Sequence, residues 1–166
     1  MRFYVCKKGS KYSSSVSEAV ILLEAEERTK CFDQYKTFQN FYFNVNIHRV
    51  ELITLLNKLR RQGHTIAGYG ASGRANTMIQ YCGINHDHLD YIIDDSPAKV
   101  GFYTPGSHFE ICTNSILKKS ELPDYLLIFA WSFLNEIRKK NSDYLTNGGQ
   151  MIIPLPEISL FPQTQQ

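Results

Sequence analysis

Hydrophobic residues change their spacing near Gly63. Before that residue, apolar side chains recur every three or four positions, which is the spacing of an amphipathic helix. The pattern predicts a first helix that begins at Val16 and a longer one over 32–59, whose apolar stripe is interrupted only by Arg49. Gly63 stands where a helix is expected to end. Because such a stripe usually packs against other parts of a domain, we interpret the longer helix as structural.

Two shorter features precede the first helix. The residues Arg2–Val5 predict a short strand, and the serines of Ser13–Ser15 offer an N-cap to the helix that follows. Together with the two helices they form an N-terminal segment, residues 1–63, which we expect to pack on the rest of the domain.

Beyond Gly63 the apolar residues gather in short runs, with segments able to form helices between several of them. Buried parallel strands appear as continuous apolar runs because both of their faces are covered. Strands that alternate with helices predict a doubly wound α/β fold. We therefore expect a Rossmann-like, mostly parallel sheet of five strands in residues 64–160, followed by a polar tail at 161–166. The predicted strands are Thr65–Tyr69, Asp90–Asp94, Phe109–Ile111, Asp124–Ala130 and Gln150–Pro154, and the predicted helices are Gly73–Cys82, Asn114–Lys119 and Leu134–Leu145.

Composition narrows the class of protein. The chain has 166 residues, 43% of them hydrophobic and 20% charged, which suits one globular domain. A formal net charge of +2 lacks the basic character typical of nucleic-acid-binding proteins, so no nucleic-acid partner is expected. No apolar run approaches the length of about 20 residues that crosses a bilayer, and the N-terminus lacks the apolar stretch of a secretory signal. These features predict a cytoplasmic protein without a membrane partner.

Neither the cysteines nor the histidines have the spacing of a metal site. The four cysteines lie far apart and form no CxxC pair, so reduced thiols are expected. His86 and His88 fall in a predicted loop and would need distant partners to hold a metal. The sequence therefore predicts no metal centre.

A glycine-rich turn follows the first strand of the predicted sheet. Gly68, Gly70 and Gly73 form a GxGxxG pattern that leads into a helix. Glycine lets a phosphate approach the main chain closely, and a helix start adds unpaired N–H groups and partial positive charge. Ser72 and Arg74 would reinforce an anion there, since a guanidinium grips phosphate oxygens in a forked geometry. The turn suits a pyrophosphate, although any tight strand-to-helix turn also favours glycine.

Two interpretations of the next strand end stay open. Asp94 and Asp95 close that strand, where an acidic residue holds a ribose hydroxyl in NAD(P)-binding proteins. The same pair would also serve simply to end a strand and cap the turn before Pro97. The chain shows no second mononucleotide-binding half and no catalytic domain for a hydride acceptor, which counts against an NAD(P)-dependent oxidoreductase.

Four stretches, taken in order, form a more specific pattern than the glycine turn. They are IAGYGASGRANTMIQYCGI, LDYIIDDSPAKVGFYTPGSHFEI, PDYLLIFAWSFLNEI and GGQMIIPLPEI. At their spacing they resemble the C-terminal domain of S-adenosylmethionine-dependent sugar C-methyltransferases, which build branched deoxysugars on nucleotide carriers. The likeness runs from Arg2 to about Leu160. It implies a three-part enzyme in which a zinc-binding region and a methyltransferase domain precede this domain.

The resemblance implies that this domain holds the nucleotide-diphosphate sugar across a cleft from the methyltransferase domain. The family's Lys-Gly pair is Arg74-Ala75 here, and the glycine has moved forward to Gly73, so the positive charge is kept while the glycine changes place. The contacts carried over are Tyr69, Gly70, Ala71, Arg74, Asn76 and Thr77.

Further candidates come from the loops beyond the strands. Lys99 is placed to reach a phosphate, although a lone surface lysine is commonly just solvated. His108 has the chemistry of a general base, but without a visible partner a structural or rim role is favoured. Trp131 is suited either to stack on a base or sugar or to cover a domain contact. No nucleophile and base can be assembled, so no catalytic residue is predicted. The full predicted substrate-binding set is Tyr69, Gly70, Ala71, Ser72, Gly73, Arg74, Asn76, Thr77, Asp94, Lys99, His108 and Trp131.

The first hypothesis for the function is the nucleotide-sugar-binding domain of a sugar C-methyltransferase. The segments that would bind S-adenosylmethionine and carry the catalysis are missing from this chain, so we expect it to bind no cofactor and to methylate nothing alone. S-adenosylmethionine is implied for the full-length enzyme, with the methyltransferase domain on the same or a separate chain. The second hypothesis is a stand-alone, non-catalytic nucleotide-binding or interaction module, and the third is an NAD(P)-dependent oxidoreductase domain.

Overall fold

A computed structural model describes residues 4–13, 16–118 and 122–162. The chain divides into two compact units, Met1–Val45 and Asn46–Gln166, which we call unit 1 and unit 2. Parts of four sequence-based predictions lie outside the described residues: Arg2 and Phe3 in the predicted strand, Ser14 and Ser15 in the predicted N-cap, Lys119 in the predicted helix, and residues 163–166 of the tail.

Unit 1 contains helix α1 (Glu18–Thr29) and the first turns of helix α2 (Tyr35–Arg61). Helix α1 begins two residues later than predicted, after Ser17, whose side chain makes no capping hydrogen bond. Tyr4 and Val5, the described end of the predicted strand, belong to no strand. No residue of α1 is buried, and burial along α2 is confined to Leu52, Leu56 and Leu59 in its later turns.

Unit 2 contains the sheet, which has six strands within the described residues. Its order is β3-β2-β1-β4-β5-β6, with all neighbours parallel except β5 and β6, which are antiparallel. The predicted mostly parallel, Rossmann-like α/β fold is thus confirmed, and β6 is an addition to the five predicted strands. The strands are β1 (Ile66–Tyr69), β2 (Ile92–Asp94), β3 (Ile111–Thr113), β4 (Tyr125–Ile128), β5 (Gln150–Ile153) and β6 (Ser159–Phe161).

The helices of unit 2 follow the predicted positions with local differences. Helix α3 (Gly73–Cys82) has the predicted bounds, because Ser72 caps its start and Gly83 ends it in the left-handed conformation at φ 71°. The segment predicted as a helix over 114–119 is a 3-10 helix, Asn114–Lys118. The predicted helix over 134–145 is two helices, α4 (Leu134–Lys140) and α5 (Ser142–Thr146), which part at Asn141.

Both faces of the sheet are buried, which explains the continuous apolar runs in the sequence. Leu52 and Leu56 of α2, together with Ile79 of α3, belong to the buried cluster on one face. Ile137 of α4 and Tyr144 of α5 belong to the cluster on the other. Burying one such side chain fully contributes about 1.5–3 kcal/mol, so the two clusters are the main stabilising feature of unit 2.

The strand order leaves a crevice beside β1. The chain moves outward from β1 through β2 to β3, returns to β4 on the other side of β1, and then moves outward again. At such a reversal the connections leave opposite faces of the sheet, and ligands bind in the opening at the carboxyl ends of the strands. We call the edge of the sheet formed by the carboxyl ends of the parallel strands the carboxyl edge, and the opposite edge the amino edge.

Candidate functional site

The turn at the carboxyl end of β1 is shaped by two glycines. A Cβ atom at Gly68 would lie 2.7 Å from the ring of Phe129, and one at Gly70 would lie 3.0 Å from the Cβ of Ala130. Gly70 also has φ of +100°, which other residues rarely adopt, and its N–H donates to the carbonyl of Ile93 at 2.7 Å. Packing of β1 against its neighbours therefore explains these two glycines.

Gly73 is different, because nothing in the fold requires a glycine there. Its φ is not positive, and an added Cβ would have no atom within 4 Å. The space over the first residue of α3 is therefore open. Room for a ligand's approach to the main chain is one use of a glycine at such a place.

The first turn of α3 leaves two main-chain donors without a helical acceptor. The Oγ of Ser72 accepts the N–H of Ala75 at 3.2 Å, and its carbonyl accepts the N–H of Asn76 at 3.0 Å. The N–H groups of Gly73 and Arg74, the first two helical residues, have no acceptor within the helix. They point out of the N-terminus, where the helix dipole favours an anion.

Arg74 extends from this turn toward the end of β4. Its Nη2 donates to the Oγ of Ser132 at 3.1 Å, and its guanidinium carbon lies 5.2 Å from the centre of the Trp131 ring. Within the described part of the chain, no carboxylate forms an ion pair with Arg74. Its contacts are thus a neutral hydroxyl and an aromatic face, and its positive charge is not neutralised.

Asp94, at the end of β2, ties the glycine turn to the next loop. Its buried carboxylate accepts the N–H of Ala71 at 2.7 Å, the N–H of Ser96 at 2.8 Å and the Nζ of Lys99 at 3.1 Å. Lys99 also donates to the carbonyl of Ala71 at 2.8 Å. The Ala71 amide is therefore already occupied, and Asp94 acts as a turn cap. A carboxylate engaged in this way is poorly placed to hold a ribose hydroxyl.

Tyr69, Asp95 and Lys140 form a second charged cluster at the carboxyl edge. The hydroxyl of Tyr69 donates to Asp95 at 3.1 Å, and Lys140 forms an ion pair with the other oxygen of Asp95. Burial, with a smaller contribution from the adjacent Asp95, raises the pKa of Tyr69 to about 12 against an opposing hydrogen bond with Asn141, so the phenol is a neutral donor at physiological pH. Lys140 was not among the predicted site residues, because nothing in the sequence links it to a strand end.

The structure brings most of the predicted residues together, with one exception. His108 lies just before β3, and its loop contacts α3 through Gln80, which donates to the carbonyl of Pro105 at 3.4 Å. Gln80 is seven residues beyond Gly73, or about 10 Å along the helix axis. His108 is therefore not near the glycine turn. The residues that do gather at the carboxyl edge are Tyr69, Gly70, Ala71, Ser72, Gly73, Arg74, Asp94, Lys99 and Trp131, with Asn76 and Thr77 in the first turns of α3.

Asn76 and Thr77 play different parts within α3. The Oγ1 of Thr77 donates to the carbonyl of Gly73 at 3.1 Å and so supports the first turn. The Oδ1 of Asn76 is buried without a hydrogen-bond partner among the described residues. An unpaired buried oxygen is unusual, because leaving it unpaired costs about 1–3 kcal/mol.

The described residues do not suggest a metal centre or a membrane-spanning helix. Among them, no three His, Cys, Asp or Glu side chains lie close enough to hold a metal ion, and none of the four cysteines forms a disulfide. No helix in the described ranges has both the length and the apolar character needed to cross a bilayer. What the carboxyl edge offers is a set of donors for an anionic ligand.

Comparison with known proteins identifies relatives of the chain. The profile of the family "C-methyltransferase C-terminal domain" matches residues 1–156. The C-methyltransferase NovU of Streptomyces niveus is 31% identical over 142 residues, which are 86% of this chain and 34% of NovU. The chain thus spans about a third of the length of this curated relative.

Proposed function

The chain belongs to the family of C-methyltransferase C-terminal domains, and from that membership we propose that it binds the nucleotide-linked sugar that such an enzyme methylates. The diphosphate of the carrier lies at the N-terminus of α3. The observation that carries this proposal is the open first turn of that helix, where two free N–H groups stand beside the unpaired charge of Arg74.

The charges around this turn support binding of a diphosphate. Asp94 is balanced by Lys99 and Asp95 by Lys140, so neither carboxylate strongly repels an incoming anion. Arg74 supplies forked N–H donors that fit phosphate oxygens, and hydrogen bonds to charged groups contribute about 1.5–3 kcal/mol each. Lys99 uses two of its three ammonium hydrogens within the protein, which leaves the third for a ligand.

Trp131 gives this site a second type of contact. Its ring lies beside the guanidinium of Arg74, at the end of β4, and the side chain is only partly buried. A flat aromatic face of this kind stacks on a nucleobase or on the apolar face of a sugar. In the proposal, the diphosphate contacts Arg74 while the base or the sugar lies against Trp131.

Methyl transfer itself is assigned to polypeptide outside this chain. The chain corresponds to about a third of NovU, and its carboxyl edge offers binding groups but no nucleophile paired with a base. S-adenosylmethionine and the catalytic residues belong, in this proposal, to the larger remaining part of the enzyme. The present domain anchors and orients the sugar, and correct positioning supplies a large share of enzymatic rate enhancement.

Calorimetric titration of the purified chain tests this division of roles. We expect thymidine diphosphate to bind with a dissociation constant of about 10 µM to 1 mM, weakening as salt is added because the contact is largely ionic. S-adenosylmethionine should give no binding heat. Tighter binding of S-adenosylmethionine than of the nucleotide would contradict the proposal, and quenching of NADH fluorescence would favour the oxidoreductase alternative.

A further inference from the structure

The two outer strands of the sheet, β3 and β6, differ in what lies beside them. The N–H of Ile111 in β3 donates to the carbonyl of Phe102, and the carbonyl of Ile111 accepts the N–H of Gly101, both at 2.9 Å. In the described part of unit 2, the main chain of Ser159–Phe161 forms no hydrogen bonds other than those that pair β6 with β5. The outer side of β3 is therefore covered by the chain itself, and the outer side of β6 is not.

The outer side of β6 offers main-chain groups to another strand. In an antiparallel pair, every second residue of the outer strand directs its N–H and its carbonyl away from the sheet. Such groups are a template for pairing with an extended segment of another protein. Because β6 has three residues and Pro162 has no N–H, this template is short and can pair with only a few residues of a partner.

A groove of about 660 Å³ lies at the end of β6, on the face of the sheet that α4 and α5 cover. This volume is within the range of about 300–1,000 Å³ that is typical of ligand sites. The groove contains no residue of the proposed diphosphate site. Its lining includes Arg138 and Lys139 of α4, Ser142 and Leu145 of α5, and Phe161 and Pro162 at the end of β6.

The groove is positively charged. Arg138 and Lys139 line it, and no carboxylate is among its lining residues. Neither of the two cations forms an ion pair with a carboxylate of the described residues. The last turn of a helix favours cations because of the helix dipole, which explains two basic residues there but not the position that Arg138 takes.

Arg138 is positioned by an aromatic ring. Its guanidinium carbon lies over the ring of Phe161, 3.5 Å from the ring centre. A guanidinium stacked in this way keeps the N–H donors that lie in its own plane, and these form forked hydrogen bonds with a carboxylate. The stack therefore holds a carboxylate-binding group beside the outer strand of the sheet.

The position of Phe161 indicates where a partner's side chain would lie. Phe161 packs against the buried cluster to which α4 and α5 contribute, so its side chain projects to their face of the sheet. In a strand added beyond β6, the residue opposite Phe161 would project to the same face, with the two Cβ atoms about 4.5–5.5 Å apart. A glutamate or aspartate at that place would be next to the guanidinium of Arg138.

We propose that β6 and this groove bind an extended acidic segment of a partner protein, which adds one strand to the sheet. Pairing with the main chain of β6 supplies affinity. Carboxylates at alternate positions of the segment face the groove, where Arg138 and Lys139 select for negative charge. The proposal does not depend on which ligand the carboxyl edge binds.

The test uses the purified chain and a fluorescein-labelled peptide of six residues that alternates glutamate with valine. We expect fluorescence anisotropy to show binding with a dissociation constant of about 10–500 µM, weakening as salt is added. A peptide that alternates lysine with valine should not bind. Sedimentation of the chain alone should show a monomer.

Two methylated forms of the acidic peptide separate strand pairing from attraction between charges. One form is methylated at the main-chain nitrogens of its glutamates and the other at those of its valines, so each lacks N–H donors on one side of the extended peptide. Their charges are identical. The form methylated on the side that faces β6 should bind about tenfold more weakly or worse, and the other should bind nearly as well as the unmethylated peptide.

Two arginine variants locate the binding. Arg138→Met should weaken binding of the acidic peptide by about tenfold, because it removes the forked donors while an apolar side chain can still cover Phe161. Arg61→Met removes the same charge from an exposed position of α2, the helix that packs on the opposite face of the sheet. It is the matched control and should leave binding unchanged. Urea denaturation shows whether each variant is folded.

Four results would overturn the proposal. They are no binding of the acidic peptide below about 500 µM, equal binding of the two methylated peptides, equal losses from Arg138→Met and Arg61→Met, and a dimer of the chain that the acidic peptide does not dissociate. The last result would mean that a second copy of the chain occupies β6. Titration with thymidine diphosphate tests the carboxyl edge separately, so either proposal can fail while the other stands.

Discussion

The two edges of the sheet use their charged residues in different ways. At the amino edge, Arg60 forms two hydrogen bonds of 2.9 Å with the carboxylate of Asp90, which also accepts the N–H of Ile66. Asp124 accepts both the N–H of Thr65, at 2.7 Å, and its hydroxyl. Each carboxylate there links the start of β1 to the segment before a neighbouring strand. The charged groups of Asp90, Asp124 and Arg60 are therefore occupied by hydrogen bonds within the protein.

The carboxyl edge also has carboxylates and an arginine, but the arginine there is not paired with a carboxylate of the described residues. Asp94 fastens the turn after β1, much as Asp124 fastens its start. Arg74, by contrast, has a hydroxyl and an aromatic ring as partners and no carboxylate among the described residues. The comparison teaches that an arginine at a sheet edge is structural when a carboxylate holds it in a forked pair and is free to bind when none does.

The strongest contrast is expected between two glycines at positive φ, one at each edge. Gly70 has φ +100° and would place a Cβ 3.0 Å from Ala130, whereas Gly63 has φ +87° and open space around it. Gly70→Ala should lower the free energy of unfolding by about 2–4 kcal/mol, from backbone strain plus overpacking, and Gly63→Ala by about 1–2 kcal/mol from strain alone. Urea denaturation of both variants measures this, and equal losses would mean that Ala130 moves aside at little cost.

Asp94 and Asp95 provide a matched pair within the carboxyl edge. Asp94→Ala leaves the Ala71 and Ser96 amides and Lys99 without their acceptor, so the unfolding free energy should fall by about 2–4 kcal/mol. The Asp95 side chain is 45% exposed, so Asp95→Ala should cost less than about 1 kcal/mol. Thermal or urea denaturation compares the two. A larger loss from Asp95→Ala would show that the Tyr69 and Lys140 contacts, rather than the turn cap, secure this edge.

Two arginines test the difference between the edges directly. Arg74→Met should weaken thymidine diphosphate binding about 10- to 100-fold, which is about 1.4–2.8 kcal/mol, and leave the stability nearly unchanged. Arg60→Met should leave nucleotide binding intact and lower the unfolding free energy by about 1–2 kcal/mol, because it leaves Asp90 without its forked partner. Titration of both variants should show weaker nucleotide binding only for Arg74→Met, and denaturation should show lower stability only for Arg60→Met. A loss of binding in both would point to a general loosening of unit 2.

The smallest expected effect is a pH dependence of the free energy of unfolding that comes from Asp124 at the amino edge. The N–H of Thr65 lowers the pKa of Asp124, aided by its hydroxyl and by His64, against an opposing effect of burial. A carboxyl whose pKa is lower in the folded state stabilises the protein above the unfolded value, about 3.9, and loses that contribution as pH falls further. Because the side chain is 48% exposed, the change should stay below about 1 kcal/mol. Asp124→Asn should flatten the stability curve below about pH 4, and an unchanged curve would exclude Asp124 as its source.

The sequence predicted a helix or strand correctly where residues that start and end it were both present. Helix α3 has a capping serine before it and a glycine after it, and both of its ends were predicted. The predicted strand at Phe109–Ile111 lies two residues too early, because Phe109 is buried but gives its N–H to the hydroxyl of Thr104 instead of to a strand. Strand β6 was missed, since its pairing with β5 depends on where the chain turns back after Pro154.

The site was predicted only in part, for a physical reason. The glycine turn and Arg74 are local to one stretch of sequence, so they were found. The partner of Arg74 is Ser132, 58 residues away, and Asp95 meets Lys140 across a similar separation. His108 lies away from the glycine turn because its loop contacts Gln80, in the later turns of α3. Contacts between distant residues depend on the packing of helices on the sheet, which the residue types do not specify.

The two glycines at the carboxyl end of β1, Gly68 and Gly70, also determine which residues shape the crevice. Gly68 and Gly70 present no side chains on that face, and Phe129 and Ala130 occupy the space instead. This side of the crevice is thus contributed by the residues that follow β4. Attempts to reshape the crevice should therefore begin with residues 129–132 and leave the glycines untouched.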